Sequence, residues 1–198
     1  MKLLLASSLL FSAVAAAATP WDIDPGHATA NFSVRHMMVS DVHGSLGEVK
    51  GVVDFDEKDI TKSKVEATID VAGISTKNQK RDDHLRSPDF LEAAKFPAIT
   101  FKSTKIEKGS GDALTVTGDL TIHGTTKSVT LKTTLSAEVA NPFSKAITRG
   151  AVATTAISRE AFGLVWNMPL ANGVLVGDEI KIELEFELIK RAPKPATK

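Results

Sequence analysis

Hydrophobic and polar residues alternate with a period of two along most of the chain after residue 20. Between residues 180 and 188, apolar side chains occupy every even position, and lysine or glutamate occupies every odd one. The same alternation runs through TANFSVRHM (29–37), VKGVVDFD (49–56), KVEATIDV (64–71), AITFK (98–102), ALTVTGDLTI (113–122) and SVTLKTTL (128–135). This period is typical of antiparallel β-strands with one apolar face and one wet face.

Turn signals separate these segments. They are the stretches VHGSLG, EKGSGD, HGTTK, ANPFSK and ANGVLVGD, which are rich in glycine, asparagine or serine. Phe162, Leu164 and Trp166 also alternate, just before the last of these turns. The pattern therefore predicts an all-β fold with eight or nine antiparallel strands, arranged as a barrel or a sandwich.

One stretch, NQKRDDHLRSPDFLEAAKFP (78–97), interrupts the alternation. It contains good helix formers and two prolines, Pro88 and Pro97. We expect a short helical connection around residues 78–95, with Ser87 as a helix N-cap and Pro88 in the first helical position.

The two ends of the chain differ from the rest. Lys2, an apolar run and the small residues before Thr19 form the pattern of a secretory signal peptide over residues 1–18. We expect one barrel domain over residues 19–190 and a flexible tail, RAPKPATK, over residues 191–198. No stretch after the signal peptide approaches the roughly 18 apolar residues of a membrane-spanning helix.

Composition narrows the function classes. The chain has no cysteine, which excludes thiol catalysis and thiolate metal ligands. Its formal net charge is zero, so no basic surface that would attract nucleic acid is expected. Aromatic residues make up only 6% and tyrosine is absent, whereas outer-membrane barrels carry aromatic girdles. The apolar faces are therefore expected to point inward.

An inward apolar face leads either to a packed core or to a ligand cavity. Gly51, Ala67, Gly118 and Ala153 lie on the faces assigned to the interior, where small side chains leave volume unfilled. Such a cavity would be long and apolar and would suit an alkyl or prenyl chain. The pattern alone leaves this alternative and a solid core equally open.

The cluster RDDHLR (81–86) and the scattered histidines are the candidates for chemistry. A metal or hydrolase site would use His27, His36 and His43, or the segment Asp82–His84. Consecutive residues on a helix fan out by about 100° each, so Asp82–His84 cannot converge on a metal without further ligands. The plainer interpretation is a solvated cap. Its charged residues Arg81, Asp82, Asp83 and Arg86 pair at the surface, while Leu85, Phe90 and Leu91 pack on the barrel end.

No G-x-S-x-G, H-E-x-x-H or P-loop motif is present, and we do not expect an enzyme.

Five stretches together resemble the YceI-like family of bacterial exported proteins. They are WDIDPGHATANFSVRHM (21–37), GEVKGVVDFD (47–56), STKNQKRDDHLRSPDFLEAAKFPAITFKST (75–104), TVTGDLTIHGTTKSVTL (115–131) and FGLVWNMPLANGVLVGDEIKIELEFE (162–187). They occur in the family order over nearly the whole mature chain.

The resemblance implies a lipocalin-like antiparallel barrel of about eight strands, a homodimer in the periplasm. It also implies that the barrel carries a long-chain amphiphile such as a polyisoprenoid, an isoprenoid quinone or a fatty-acid derivative. A bound lipid would then be the ligand, with no other cofactor. The alternatives are a metal-binding protein or hydrolase, and a β-sheet interaction module with a solid core.

The expected ligand-binding residues are the larger side chains on the inward faces and around the barrel end: Phe32, Val34, His36, Val53, Phe55, Ile69, Phe90, Phe101, Leu120, Phe162, Leu164 and Trp166. Of these, His36 is expected to contact the polar end of the ligand, together with Arg86. We expect Ala67→Phe or Gly118→Leu to fill the cavity.

Overall fold

The computed structural model describes residues 19–192, and the expected signal peptide lies outside this part of the chain. Most of the described residues lie in strands, in the order β1 (Thr19–His36), β2 (Ser40–Ser45), β3 (Val49–Phe55), β4 (Lys64–Asp70), β5 (Ala98–Lys108), β6 (Ala113–Ile122), β7 (Thr125–Leu135), β8 (Val139–Ala140), β9 (Ile147–Ser158), β10 (Pro169–Leu170), β11 (Gly173–Val174) and β12 (Val176–Lys190). One α-helix, α1 (Gln79–Arg86), and two 3-10 turns (Ile60–Lys62 and Glu160–Phe162) complete the fold.

Eight of these strands close into an antiparallel barrel, as the sequence predicts. The order around the barrel is β12-β1-β3-β4-β5-β6-β7-β9, and β9 pairs again with β12 to complete the circle. Closure leaves no free edge among these eight strands. β2 pairs with the second half of β1, and β8 pairs with the start of β9.

Three local predictions are wrong. The stretch VHGSLG is not simply a turn, because its first four residues belong to β2, which pairs with β1 from Asn31 to His36. The alternating residues Phe162 and Trp166 do not form a strand: the first ends a 3-10 turn and the second lies in the loop that follows. Apolar contacts at the barrel end, rather than strand pairing, account for the apolar side chains in this segment.

The third error concerns the helix. Asn78 is the N-cap of α1, and its side-chain oxygen accepts a hydrogen bond from the backbone N–H of Arg81 at 3.1 Å. Ser87 ends the helix as its C-cap instead of starting one, and its hydroxyl donates to the carbonyl of His84. Residues 88–95 form turns, so the connection is helical only in its first half.

The buried core forms two clusters near the two ends of the barrel. The Trp21 end is built around Trp21, Phe55 and Leu188, and the α1 end around Val71, Phe162 and Leu91. At the Trp21 end, Arg191 at the start of the predicted tail is tied to β1. Its backbone N–H donates to Pro20, and its guanidinium pairs with Asp22. No helix in residues 19–192 is long and apolar enough to cross a membrane.

Candidate ligand-binding cavity

An apolar cavity of about 200 Å³ runs through the barrel between the two core clusters. All eight barrel strands contribute to its wall, and 35 of its 39 lining residues are apolar. A single trapped water needs roughly 10–15 Å³ of such volume, so this space is more than ten times larger. The interior is therefore not packed solid, which removes the main premise of the interaction-module alternative.

The burial of β12 shows how the cavity arises. Its even-numbered residues between Ile180 and Leu188 point inward, as the alternation predicts, yet Ile180, Ile182 and Leu184 are only partly buried. Each of them lines the cavity, so its remaining accessible surface faces the empty interior. Leu188, at the Trp21 end of the same strand, is 1% exposed because the core closes over it there.

Nine of the residues expected to bind ligand line this cavity: Phe32, Val34, Val53, Phe55, Ile69, Phe90, Phe101, Leu120 and Leu164. They lie on β1, β3, β4, β5 and β6 and on two segments at the α1 end, so the barrel brings them together from distant parts of the chain. Their contact with a ligand remains a prediction.

Three expected residues do not line the cavity. His36 ends β1 opposite Ser40, beyond the irregularity that follows Val34. Phe162 is 2% exposed and belongs to the core at the α1 end. Trp166 packs outside the cavity, against Phe90 at 5.1 Å between ring centroids.

The small inward residues leave less space than expected. A side chain at Gly118 would meet the ring of Phe101 at 2.5 Å, so this glycine is already covered. Gly51 is covered by the backbone of Glu66 and Ala67 and by the side chain of Ile23. Gly118→Leu would therefore clash with the wall rather than fill the cavity. Ala67 and Ala153 do line the cavity, as expected.

The connection that contains α1 closes one end of the barrel. Leu85, Phe90 and Leu91 line the cavity from this connection. The ring of His84 packs edge-on against Phe90 and against Trp166, with centroid distances of 5.0 and 4.8 Å. Its Nε2 lies 2.8 Å from a carboxylate oxygen of Asp89. His84 therefore stabilises the connection that contains α1 from its outer side and does not line the cavity.

Asp82 has a different role from the expected surface ion pair. Its side chain is buried, with 6% of the residue exposed, and accepts hydrogen bonds from the backbone N–H and the hydroxyl of Thr76. These bonds lower the pKa of Asp82 because they favour the ionised carboxylate. Arg81 donates to the hydroxyl and the carbonyl of the same threonine. Asp82 thus fastens α1 to the segment that follows β4.

The arginine expected near the ligand head group also has a structural task. Arg86 donates hydrogen bonds to the carbonyls of Ala72 and Ile74, and it pairs with Asp83 at 2.7 Å. It does not line the cavity. The expected pairing of Arg86 with an acidic neighbour is present, while the rest of its donors hold the loop after β4.

Sequence reasoning missed one charged residue of the wall, Arg159. It is 2% exposed and lines the α1 end of the cavity. Its guanidinium donates to the carbonyls of Gly177, Leu164, Trp166 and Val176, and lies 3.6 Å from Glu160. These partners satisfy the buried charge and hold the loop 163–168 against the start of β12. An isolated arginine after a strand gives no sequence signal for such a role.

The histidines do not form the alternative metal site. Within residues 19–192, the only group with converging ligand atoms is His27 with Asp24 and Glu187, whose atoms lie within 4.8 Å of one another. His36 and His43 are not part of it, and neither is the segment Asp82–His84. A 2.8 Å hydrogen bond from Nδ1 of His27 to the carboxylate of Asp24 raises the pKa of His27 and lowers that of Asp24. The geometry is that of a surface ion pair.

Comparison with known proteins relates this barrel to others. Protein YceI of Escherichia coli O157:H7 is 42% identical over 139 residues, which are 69% of this chain and 72% of that protein. The structure of Burkholderia cenocepacia BcnA superposes with a TM-score of 0.71 at 24% identity, covering 83% of this chain and 98% of that one. A polyisoprenoid binding domain from Saccharophagus degradans gives a TM-score of 0.61 at 13% identity, covering 88% and 99%. The two structural matches establish a shared fold.

The family assignment rests on sequence. A model of the YceI-like domain matches residues 21–188, which include the helical connection, six complete barrel strands and nearly all of β1 and β12. Since that match covers most of the chain and the relative from E. coli exceeds 40% identity, this chain belongs to the YceI-like family.

Proposed function

We propose that this protein is a periplasmic carrier that holds a long-chain apolar amphiphile inside its barrel. The ligand is a polyisoprenoid, an isoprenoid quinone or a fatty-acid derivative. The observation that carries the proposal is the cavity itself, whose wall is apolar except for four residues. A space of this kind excludes charged and sugar-like ligands, because their polar groups would lose water without gaining hydrogen bonds.

The length of the cavity favours a chain over a compact ligand. On β12 the lining residues run from Val176 to Leu188. At roughly 3.3 Å per residue and a strand tilt near 40°, this stretch corresponds to about 30 Å along the barrel axis. That is about the thickness of the hydrocarbon core of a bilayer. A long prenyl or acyl chain inside the cavity is therefore surrounded by apolar groups over about the same length as in a bilayer.

Burial of the chain provides the driving force. A chain that removes about 600 Å² of its surface from water gains roughly 15 kcal/mol at 25 cal/mol per Å². Loss of translational and chain freedom offsets several kcal/mol of this. The remainder, about 8 kcal/mol, corresponds to micromolar affinity without any strong polar contact.

The comparisons support a binding protein rather than an enzyme. The Saccharophagus degradans domain that shares this fold is described as polyisoprenoid binding. Within residues 19–192, four polar residues line the cavity, and no two of them pair as a nucleophile and a base. The periplasmic location rests on the secretion pattern of residues 1–18 and on the family resemblance.

Ligand titration of the delipidated protein tests this function. The probes are a prenyl alcohol and a long-chain fatty alcohol, and the variant is Ala67→Phe, which places a ring in the cavity from β4. The control is Thr68→Phe, since Thr68 is the next residue on the strand and faces solvent. We expect Ala67→Phe to weaken binding at least tenfold and Thr68→Phe to bind as wild type does. Unchanged binding by Ala67→Phe would place the ligand elsewhere.

A further inference from the structure

Two short segments, 37–39 and 165–175, carry six of the nine large apolar side chains that are exposed in residues 19–192. Neither segment contains a charged residue, although charged residues make up 24% of the chain. These six side chains form what is named here the apolar patch: Met37, Met38, Val39, Val165, Met168 and Val174. Exposed apolar side chains that are grouped in this way mark an interaction site, whereas single scattered ones are normal on any surface.

Hydrogen bonds and packing hold the two segments against each other. The backbone N–H of Met37 donates to the carbonyl of Leu175 at 2.8 Å, and the N–H of Leu175 donates to the carbonyl of Met168 at 2.9 Å. The side chain of Met38 covers Gly173, where an added Cβ would lie 3.1 Å from its Cγ. The apolar patch is therefore one surface, although its two segments are far apart in the sequence.

The turn between β1 and β2 presents its two methionines in a strained conformation. Met37 and Met38 have φ angles of 50° and 63°, and the N–H of Val39 closes the turn on the carbonyl of His36 at 3.0 Å. Positive φ at both central positions is the mark of a type I′ turn, which favours Asn-Gly because long side chains are strained there. Strain of this kind is concentrated at functional sites. The two exposed methionines therefore have a role other than forming the turn.

The apolar patch is the outer side of the segments that close the α1 end of the cavity. Leu164 lines the cavity, and its neighbour Val165 belongs to the patch. Val176 lines the cavity in the same way, two residues after Val174 of the patch. Trp166, between these segments, packs against Phe90 of the cavity wall. A chain that enters or leaves the cavity at this end passes beside the patch.

Size and charge favour a bilayer over a protein as the partner. A stable protein interface buries about 800 Å² on each side, whereas six partly exposed side chains offer roughly 300–500 Å². Arg35 donates to the carbonyl of Met38, but its charge is paired with Asp41. The patch thus offers apolar contact without net charge, which suits the hydrocarbon boundary of a lipid layer. Trp166 lies at its edge, and tryptophan is enriched at membrane–water interfaces.

We propose that the apolar patch docks the protein reversibly on the surface of a phospholipid bilayer, with the α1 end of the cavity toward the lipid. This inference rests on the proposed function, because a prenyl or acyl ligand is dissolved in a bilayer before it is carried. A single myristoyl chain gives only weak and reversible membrane binding, and six partly exposed side chains belong to the same range. Weak binding allows a carrier to leave the membrane again.

Flotation of the delipidated protein with phosphatidylcholine vesicles tests the docking surface. The variants are Met37→Asn and Val165→Asp. The control is Val139→Asp, because Val139 is 60% exposed, close to the 67% of Val165, but lies on β8 at the Trp21 end. We expect vesicle binding to weaken roughly threefold to tenfold in Met37→Asn and at least about tenfold in Val165→Asp, and to stay unchanged in the control. Absence of binding by wild type, or equal loss in all three variants, would overturn the docking surface.

Stability separates docking from a structural role of the turn. Met37→Asn should be at least as stable as wild type in chemical denaturation, because asparagine tolerates positive φ better than methionine. Weaker vesicle binding by a protein that is not less stable supports docking. A loss of stability that accompanies the loss of binding would make Met37 a structural residue and overturn its role in docking.

Two further measurements distinguish this inference from its alternatives. In the absence of vesicles, Val165→Asp should bind a prenyl alcohol as wild type does, while its uptake of that alcohol from vesicles should be slower. If wild type bound vesicles but not the alcohol, the carrier function would fail and the docking surface would remain. If sedimentation showed a wild-type dimer that Val165→Asp dissociates, the patch would belong to a second copy of the chain and the bilayer proposal would be overturned.

Discussion

At the residue scale, the alternating pattern identifies which side chains point inward but not which of them touch one another. Gly118 illustrates the difference, since its inward position follows from the sequence of β6 while the ring that covers it comes from Phe101 on β5. The same reasoning places Phe32 and Leu120 on the cavity wall. It fails for Trp166, because an irregular loop has no fixed faces.

A single methyl group at Gly118 tests this packing. In Gly118→Ala the new Cβ would lie 2.5 Å from both the ring of Phe101 and the carbonyl of Lys102. We expect a loss of about 1–3 kcal/mol in the free energy of unfolding, measured by chemical denaturation, since overpacking has costs of this size. Gly150→Ala is the matched control. Its Cβ would meet nothing closer than 3.6 Å, so its stability should stay equal or rise slightly. Equal stability of the two variants would contradict this account.

The buried carboxylate of Asp82 predicts a dependence on pH. Hydrogen bonds from Thr76 lower its pKa below the ordinary value of 3.8, so ionised Asp82 stabilises the fold above that pH. This contribution is lost as the pH falls through the lower pKa of the folded state. Asp82→Asn should be less stable than wild type at pH 7, and the difference should shrink below pH 3.8. Denaturation midpoints over this range measure it, and a difference that does not change with pH would disprove the role.

At the scale of elements, the position of the helical connection follows from sequence, but its boundaries do not. Asn78 and Ser87 are both acceptable N-caps, and only the former is used. The contacts of Asp82 with Thr76, and of Leu85 with the cavity, require the helix to lie before Ser87. Leu85 packs against a core cluster drawn from distant parts of the chain, so local propensity cannot predict its contacts.

Two strands are hard to predict from the sequence for a related reason. β2 (Ser40–Ser45) is polar and short, and it becomes a strand because it pairs with β1. β9 (Ile147–Ser158) carries alanine and threonine on its inward face, which gives only a weak alternation. Its pairing with both β7 and β12 closes the barrel. Both segments therefore form strands because they pair with neighbouring strands, although their own alternation is weak.

The cap of α1 provides a test at this scale. Asn78→Ala removes the side-chain acceptor of the Arg81 N–H and should lower the free energy of unfolding by about 1 kcal/mol. Asn78→Asp keeps an acceptor of equal quality and should match wild type. Thermal melts of the three proteins measure the effect. If Asn78→Asp lost as much stability as Asn78→Ala, the side-chain cap would not be the cause.

At the scale of the whole molecule, a closed barrel with an unfilled interior couples stability to the ligand. A ligand that binds only the folded state adds about 2.7 kcal/mol at a concentration 100 times its dissociation constant. The melting temperature of the delipidated protein should therefore rise with added prenyl or acyl lipid. Ala67→Phe, whose ring occupies the cavity, should show little further rise. An equal rise in both proteins would indicate binding outside the barrel.

Native mass spectrometry of the protein purified from its native host, followed by organic extraction, tests the central claim most directly. We expect a discrete added mass that extracts as a neutral prenyl or acyl lipid. A bare protein mass that stays unchanged after incubation with isoprenoid quinones and prenyl alcohols would contradict the account.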